Sequence, residues 1–393
     1  MLRHARLFVV ALALAGPAAF ALACSAPDDA PSYAWALPAG VEPPPVPADN
    51  PQTAAKVELG RHLFYDLRLS LNEDRACGTC HEQAKGFTDG FHRAVGTTKE
   101  IHGHNTQTLV NVGYRTQLGW AHEEPRGLEG QLLVPLLGED PIEMGMGGRE
   151  AELLALLGDD PLYAELFAAA YPESAAPLTL SKLARAIAAF ERTILSRDAP
   201  LDRYLGGDAE AISPAAARGW ALFSSAELGC MRCHGGPDFG SPTDAAGEVV
   251  AEAGYFNVGL YDLAPAGSGA YPDSAQGLIE TTGLAADMGR FRAPTLRNLA
   301  YTAPYMHDGS VNELEEAVDI MLGGGRVLGS GPFVGDGRQN PYKSEGLTAV
   351  ELSPEQRSDL LALLAALSDP RLVSDPALAS PFVEEPSADP LSR

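Results

Sequence analysis

Cys77-Gly78-Thr79-Cys80-His81 and Cys230-Met231-Arg232-Cys233-His234 decide how this chain is read. Each places two thiols three positions apart and a histidine directly after the second. That spacing suits addition of both thiols to the two vinyl groups of a haem, with the histidine then held on the iron. One zinc site made from all four thiols would have to join pairs about 150 residues apart and leave both histidines unexplained. Two redox disulfides would ignore His81 and His234 as well. Two covalently bound haem c groups are therefore expected.

The rest of the 393-residue chain is consistent with that expectation. Its fifth and last cysteine, Cys24, stands alone, so a disulfide scaffold is excluded. Apolar residues make up 45%, enough for a packed core. Acidic residues outnumber basic ones 52 to 28, the net charge is −24, and no basic run occurs. A nucleic-acid partner is thereby excluded, since phosphate neutralisation needs clustered Lys and Arg. The acidic surface serves solubility or attracts a cationic partner.

Residues 1–23 read as a signal peptide, with Arg3 and Arg6 before an uncharged apolar run from Leu7 to Ala23. Haem attachment requires export, so the two signals agree on the periplasm. Ala21-Leu22-Ala23-Cys24 resembles a lipoprotein cleavage site, which makes Cys24 a candidate lipid anchor; an ordinary signal cleavage near the same point is the alternative. No later stretch is long and apolar enough to cross a membrane.

Residues 24–53 are proline-rich and read as an extended tether. Helical periodicity begins at Ala54, with Val57, Leu59, Leu63 and Phe64. A stronger helix follows Leu180, with Ser181 as its expected N-cap and Leu183, Ile187, Phe190 and Ile194 on one buried face. Further helices are expected over Ser213–Phe223, Glu313–Leu322 and Ser353–Leu367. A polar stretch at Ser196–Ser213 divides the two motifs, giving haem domains at 54–197 and 198–370 and a Pro- and Ser-rich tail at 371–393 that is expected to wrap the surface or be mobile. Residues 235–290 read as long ordered loops over a site. The fold class is all-α. Two haems on such a chain allow either an electron carrier, with both irons fully ligated, or an enzyme with one iron open.

Further stretches carry a resemblance. Asn105-Thr-Gln-Thr-Leu-Val-Asn111, Trp120, Pro141-Ile-Glu-Met144, Phe291-Arg-Ala-Pro-Thr-Leu-Arg-Asn298 and Thr302-Ala-Pro-Tyr-Met-His-Asp-Gly309 resemble the bacterial di-haem cytochrome c peroxidase superfamily in order and spacing. The resemblance implies two cytochrome-c-like domains packed face to face. It implies a peroxidatic N-terminal haem, reacting with hydrogen peroxide, and an electron-transfer C-terminal haem. By position it implies that Trp120 lies between the haems, that Gln131 and Glu143 form the polar pair of the peroxide pocket, and that Arg292 stands close to the haems. Met321 falls at the second axial ligand of the C-terminal haem, and Asn105, Thr302 and Pro304 at the ligands of an interdomain calcium.

Elementary chemistry is compatible with these roles. Peroxide O–O cleavage needs a proton moved from the inner to the outer oxygen, which a positioned carboxylate such as Glu143 can do; otherwise Glu143 is a surface glutamate at a helix start. Trp120 is otherwise a core residue. Met321 shares a helical stripe with Leu314, Ala317 and Val318, so it is also readable as a core methionine, and Met288 and Met306 are rival ligands. Asn105 alone says little of calcium, which needs six or more oxygens.

In resting peroxidases of the superfamily a histidine ligates the peroxidatic iron. Its place here falls near Thr97, and His92, His102 and His104 are out of register and read as loop histidines. An open N-terminal haem is expected, as in the subgroup of MauG- and MbnH-type enzymes, which oxidise protein-bound tryptophans through a high-valent state shared by both haems. Phe87-Thr-Asp-Gly90, Tyr255-Phe-Asn-Val-Gly-Leu-Tyr261 and Tyr271-Pro-Asp are similar to the methanobactin-associated branch. Met321 departs from that subgroup, where tyrosine is usual. The expected partners are hydrogen peroxide and either a small cytochrome c or cupredoxin, or a protein with an oxidisable tryptophan. A non-catalytic di-haem electron carrier is the alternative.

Overall fold

The computed structural model describes residues 33–115, 117–121, 127–241, 249 and 254–382. The signal peptide, Cys24, the first part of the tether and residues 383–393 lie outside them. The described helices are α1 (Ala54–Phe64), α2 (Cys77–Cys80), α3 (Gly127–Gln131), α4 (Leu133–Leu137), α5 (Glu150–Gly158) and α6 (Pro161–Ala170), then α7 (Leu180–Glu191), α8 (Pro200–Leu205), α9 (Pro214–Phe223), α10 (Ile279–Thr282), α11 (Leu314–Leu322) and α12 (Pro354–Ala366). Among the described residues the named strands form two short antiparallel ribbons. In one, β1 (Tyr255–Phe256) pairs with β2 (Phe291–Arg292); in the other, β3 (Val327–Leu328) pairs with β4 (Gly335–Asp336).

The same helix crossing is built twice. α1 packs on α7, and α9 packs on α12. Gly60 lies against the backbone carbonyl of Ala186, and Gly219 against that of Asp359; a Cβ at either glycine would overlap the carbonyl. Each glycine is followed at the same spacing by Leu-Phe, Leu63-Phe64 and Leu222-Phe223, and both phenylalanines are buried. The crossing therefore needs a residue without a side chain where the backbones meet. Gly60→Ala should lower stability by about 1–3 kcal/mol through overpacking, read as a lower urea midpoint with an unchanged denaturant slope.

A second repeat fixes the loops below these helices. Asn111 and Asn298 follow Thr-Leu-Val and Thr-Leu-Arg, and both adopt left-handed backbone, at φ 57° and 64°, where asparagine is among the tolerated residues. Both reach Ser196. Asn111 Nδ2 donates to the Ser196 carbonyl at 3.0 Å, and Asn298 Nδ2 to its Oγ at 2.9 Å. One serine thus joins the two halves of the chain.

One apolar cluster gathers Leu59, Phe64, Phe87, Tyr163, Phe167, Leu183, Ile187 and Phe190 in the N-terminal half. Another gathers Leu201, Phe223, Phe239, Leu360 and Leu363 in the C-terminal half. A third, under the loops, holds Leu260, Tyr261, Tyr271, Phe291 and Val311.

The structure departs from the sequence reading in several local places. The N-cap of α7 is Thr179, whose side chain accepts from Lys182 N, and not Ser181. The polar stretch at 196–213 contains α8, because Leu201 is fully buried against α12. The described part of the tether is extended chain broken by turns at 39–40 and 48–50, and it lies on the body. Pro44, Asn50 and Gln52 are buried, and Tyr114 Oη donates to the Glu42 carbonyl at 2.7 Å. The described part of the tail, 371–382, wraps the surface as read and adds buried contacts: Leu372 and Leu378 join the N-terminal core, and Gln83 Nε2 donates to the Leu372 and Asp375 carbonyls. No helix among the described residues is long and apolar enough to cross a membrane.

Candidate functional site

A cavity of about 740 Å³ opens beside α2 and is lined by Cys77, Cys80 and His81. That volume falls in the range of about 300–1,000 Å³ typical of cofactor pockets. His81 Nδ1 lies 3.0 Å from the carbonyl of Phe87, which sits at φ 62°. A carbonyl can only accept, so Nδ1 carries the proton and Nε2 keeps its lone pair for a metal. The second motif repeats this design, with His234 Nδ1 3.1 Å from the carbonyl of Phe239, at φ 51°. Burial lowers the pKa of both imidazoles, favouring the neutral, ligating form.

All four motif thiols are free. Burial pushes Cys80 up to about 12 and Cys230 and Cys233 up to about 11, and raises Cys77 as well. Thiols kept protonated in this way are poor redox dithiols. Half-buried, protonated thiols, a neutral histidine oriented from behind and a large adjoining cavity fit a thioether-linked haem.

Gln131, Glu143, Trp120, Arg292, Asn105, Thr302 and Pro304 line this same cavity. Glu143 is not at a helix start. It lies in irregular chain between α4 and α5, pinned by Thr97 N donating to its carbonyl at 2.8 Å and by the neighbouring Met144 N donating to the Pro135 carbonyl at 3.0 Å. Its side chain is 39% exposed, and it lines the cavity; surrounding protein pushes its carboxyl up to about 7. Gln131, at the end of α3, has a buried Oε1 without a hydrogen-bond partner in the protein. The pair thus offers a titratable carboxyl and an unfilled acceptor to whatever occupies the cavity.

Trp120 is held at both ends. Its Nε1 donates to the Asn105 carbonyl at 2.8 Å, and its own carbonyl accepts from Arg292 N at 2.8 Å. Arg292 is buried, with Nε donating to the Gly119 carbonyl at 2.9 Å and a terminal nitrogen to Gln107 Oε1 at 2.8 Å. These bonds tie residues 105–120 of the N-terminal half to β2 of the C-terminal half. Among the described residues no group of three or more His, Cys, Asp or Glu side chains is arranged to hold a metal ion.

Around the second motif, α11 supplies the cover. Leu314, Val318 and Leu322 pack in the cluster that includes Cys230, Met231 and Leu296. Met321, half-buried, follows Val318 by three residues on that helix. The rivals Met288 and Met306 pack instead in the cluster of Tyr261 and Phe291, and Met306 lines the first cavity.

Thr97 is buried with its Oγ1 donating to Asp74 Oδ1 at 2.6 Å, and it does not line the cavity. His102 and His104 do line it, whereas His92 is exposed. Gln107 and Glu191 also belong to the cavity wall and were missed from sequence. Glu191 had a signal: it stands four residues after Ile187, so a carboxylate interrupts the apolar stripe of α7. Burial pushes it up to about 8.

Comparison with known proteins agrees with this geometry. The family model described as di-haem cytochrome c peroxidase matches residues 54–210. A cytochrome-c peroxidase IdrP1 of Pseudomonas sp. (strain SCT) is 33% identical over 375 residues, covering 89% of this chain and 90% of the relative. The methylamine utilization protein MauG of Methylorubrum extorquens is 32% identical, covering 85% and 84%. A solved MauG-like protein associated with microbial copper homeostasis aligns with TM-score 0.84 at 42% identity, covering 89% of this chain and 99% of that one. Two Cys-x-x-Cys-His sites set in a duplicated helix crossing, and relatives matched over nearly their whole length, lead to one conclusion: the chain belongs to the di-haem cytochrome c peroxidase family, as a MauG-like oxidoreductase that carries two haem c groups.

Proposed function

We propose that this enzyme activates hydrogen peroxide at the N-terminal haem held by Cys77, Cys80 and His81, and draws electrons through the C-terminal haem held by Cys230, Cys233, His234 and Met321. The observation that carries this reading is Glu143, whose carboxyl, held near 7, lines the same cavity as His81. When bound, the haem supplies the iron at which the O–O bond breaks. Glu143 takes the proton from one peroxide oxygen and returns it to the other, which leaves as water. Gln131 orients the peroxide through its unpartnered Oε1. Trp120, locked by Asn105 and Arg292, couples the two haem sites.

The MauG/MbnH-like reading, in which the final reductant is a tryptophan on a partner protein, is supported by the absence of a histidine at position 97, the sequence place of the resting ligand, where Thr97 turns to Asp74 and away from the cavity. It is also supported by the likeness to the copper-homeostasis protein. Met321, the peroxidase-type residue, favours the second reading, reduction of peroxide by a small cytochrome c or cupredoxin. We assign the two haem domains to 54–197 and 198–370, in line with the separate apolar clusters. Calcium at Asn105, Thr302 and Pro304, which share the cavity wall, would brace both halves. Export to the periplasm and the candidate anchor at Cys24 complete the proposal.

The test is spectroscopic. High-spin haem in the isolated protein is expected, and wholly low-spin haem would leave only a non-catalytic carrier. Peroxide without donor should then produce a long-lived near-infrared charge-resonance band in the tryptophan-oxidising case. Rapid turnover of reduced cytochrome without that band marks the peroxidase.

A further inference from the structure

From the cavity an unbroken run of aromatic rings leads outward. His104, on the cavity wall, lies 5.8 Å from Phe291 between ring centroids. Phe291 stacks on His307 at 3.6 Å, and Tyr271 lies 6.4 Å from Phe291 and 6.1 Å from His307. Tyr261 stands 5.5 Å from Tyr271, and Phe333 5.6 Å from Tyr261. Tyr261 is 2% exposed, whereas Phe333, between β3 and β4, is 41% exposed. Trp120 packs against this cluster.

Such a run is ordinarily core packing. The hydroxyls set this one apart. Tyr261 Oη donates to Asp308 Oδ2 at 2.6 Å, while Oδ1 of Asp308 accepts from Ser310 N at 3.0 Å. Arg326 donates to Ser310 Oγ at 2.8 Å and steadies the acceptor. A phenol that loses an electron becomes a strong acid, so a buried tyrosine is oxidised readily only where a base within hydrogen-bond reach takes its proton. Tyr271 has no such base, since its hydroxyl meets the amide oxygen Asn257 Oδ1 at 2.8 Å.

We propose that Tyr261, with Asp308 as its proton acceptor, is a redox relay that carries oxidising equivalents from the haem cavity to the surface at Phe333. The inference rests on the peroxide-activating reading above. In each step one electron leaves Tyr261 inward through Tyr271 and Phe291, and the phenolic proton crosses to Asp308 Oδ2. An external one-electron reductant then refills Tyr261, and the proton returns. Two such steps, with two protons from solvent, reduce one hydrogen peroxide to two waters.

The molecule carries its own control. Tyr163 Oη donates to Asp66 Oδ2 at 2.7 Å, a pair of the same kind. There Arg68 grips both oxygens of Asp66 and lies 5.4 Å above the Tyr163 ring, and positive charge at the ring opposes its oxidation. The ring neighbours of Tyr163, Phe167 at 6.4 Å and beyond it Tyr171 at 6.4 Å, do not line the cavity, and neither does Tyr163 itself.

The experiment treats the purified di-haem protein with peroxide in the absence of donor. It follows the haem spectrum, the electron paramagnetic resonance signal after freeze-quenching, and the site of a spin-trap adduct by peptide mapping. A tyrosyl signal with its adduct on Tyr261 is expected. Tyr261→Phe should lose both, and Tyr163→Phe should lose neither. Asp308→Asn should slow refilling of the oxidised haem by an added one-electron reductant about a hundredfold, the low end of what a positioned base supplies. Haem content and urea midpoint confirm that each variant folds, and either relay variant alone suffices. Haem oxidised normally, with no adduct on Tyr261 or with identical behaviour in the folded variants, overturns the relay and leaves the peroxide reading standing. A haem spectrum unmoved by peroxide overturns both.

Discussion

Glu143→Gln should slow peroxide consumption by about 100- to 10,000-fold, the range a positioned acid–base group supplies, while both haems stay attached. The substitution keeps the shape of the side chain and removes only its ability to take and return a proton. Stopped-flow mixing with peroxide separates the effect from binding, because the amide still fills its place in the cavity wall that it shares with Gln131. The pH profile supplies the sign. With its carboxyl near 7, Glu143 is largely neutral at pH 6 and ionised at pH 8. The base that accepts the first proton is the ionised form, so the parent rate constant should rise as pH passes through about 7. The variant should show no such rise. Stability runs the other way: a carboxyl raised above its ordinary value is penalised when ionised. Its favourable contribution is therefore complete below the ordinary carboxylate value and is lost as pH rises through about 7. A rate that falls across the same interval in the parent would remove Glu143 as the base.

Arg297→Ala should destabilise the protein by about 3–5 kcal/mol, the usual cost of removing one partner of a buried ion pair. Arg297 is 1% exposed, and its two terminal nitrogens bind the two carboxylate oxygens of Asp202 at 2.8 and 2.7 Å. Its Nε also donates to the Pro237 carbonyl at 2.9 Å, and its guanidinium lies 5.4 Å above the Phe239 ring. Pro237 and Phe239 belong to the turn whose carbonyl orients His234, so the loss should reach the second haem as well as the fold. The expected readings are a lower urea midpoint and an altered spectrum of the C-terminal haem, with the N-terminal haem unchanged. Arg297→Lys should recover little, because an ammonium cannot reproduce the forked contact with Asp202 while holding Pro237. A midpoint shift below about 1 kcal/mol would be the value of a surface pair and would contradict this account.

The elements best read in advance were those whose cause is local. α1, α9, α11 and α12 follow from apolar residues at helical spacing, and the structure adds that Ser213 and Ser353 cap α9 and α12. The cap of α7 was misread by two positions, since Thr179 and Ser181 are equally suitable in isolation and only the starting point of the hydrogen-bond ladder chooses between them. Composition marked the segments at 24–53 and 371–393 as unable to form their own core. It could not show that Pro44, Asn50, Leu372 and Leu378 would be buried against someone else's.

The site divides along the same line. Its covalent and axial chemistry is contiguous in the chain, so Cys77, Cys80 and His81, and again Cys230, Cys233 and His234, were legible without any structure. Sequence by itself therefore determined what this protein holds: two haems, in a mostly helical chain of the di-haem cytochrome c peroxidase family. Tertiary structure alone decided what faces them. Thr97 turns away to Asp74, His102, Gln107 and Glu191 join the cavity wall, and Tyr261 meets Asp308 across 47 residues of chain. A motif works through bonds between neighbours, whereas the proton and electron chemistry of a cavity depends on burial and on distances between residues far apart in sequence. Those are properties only the folded chain possesses.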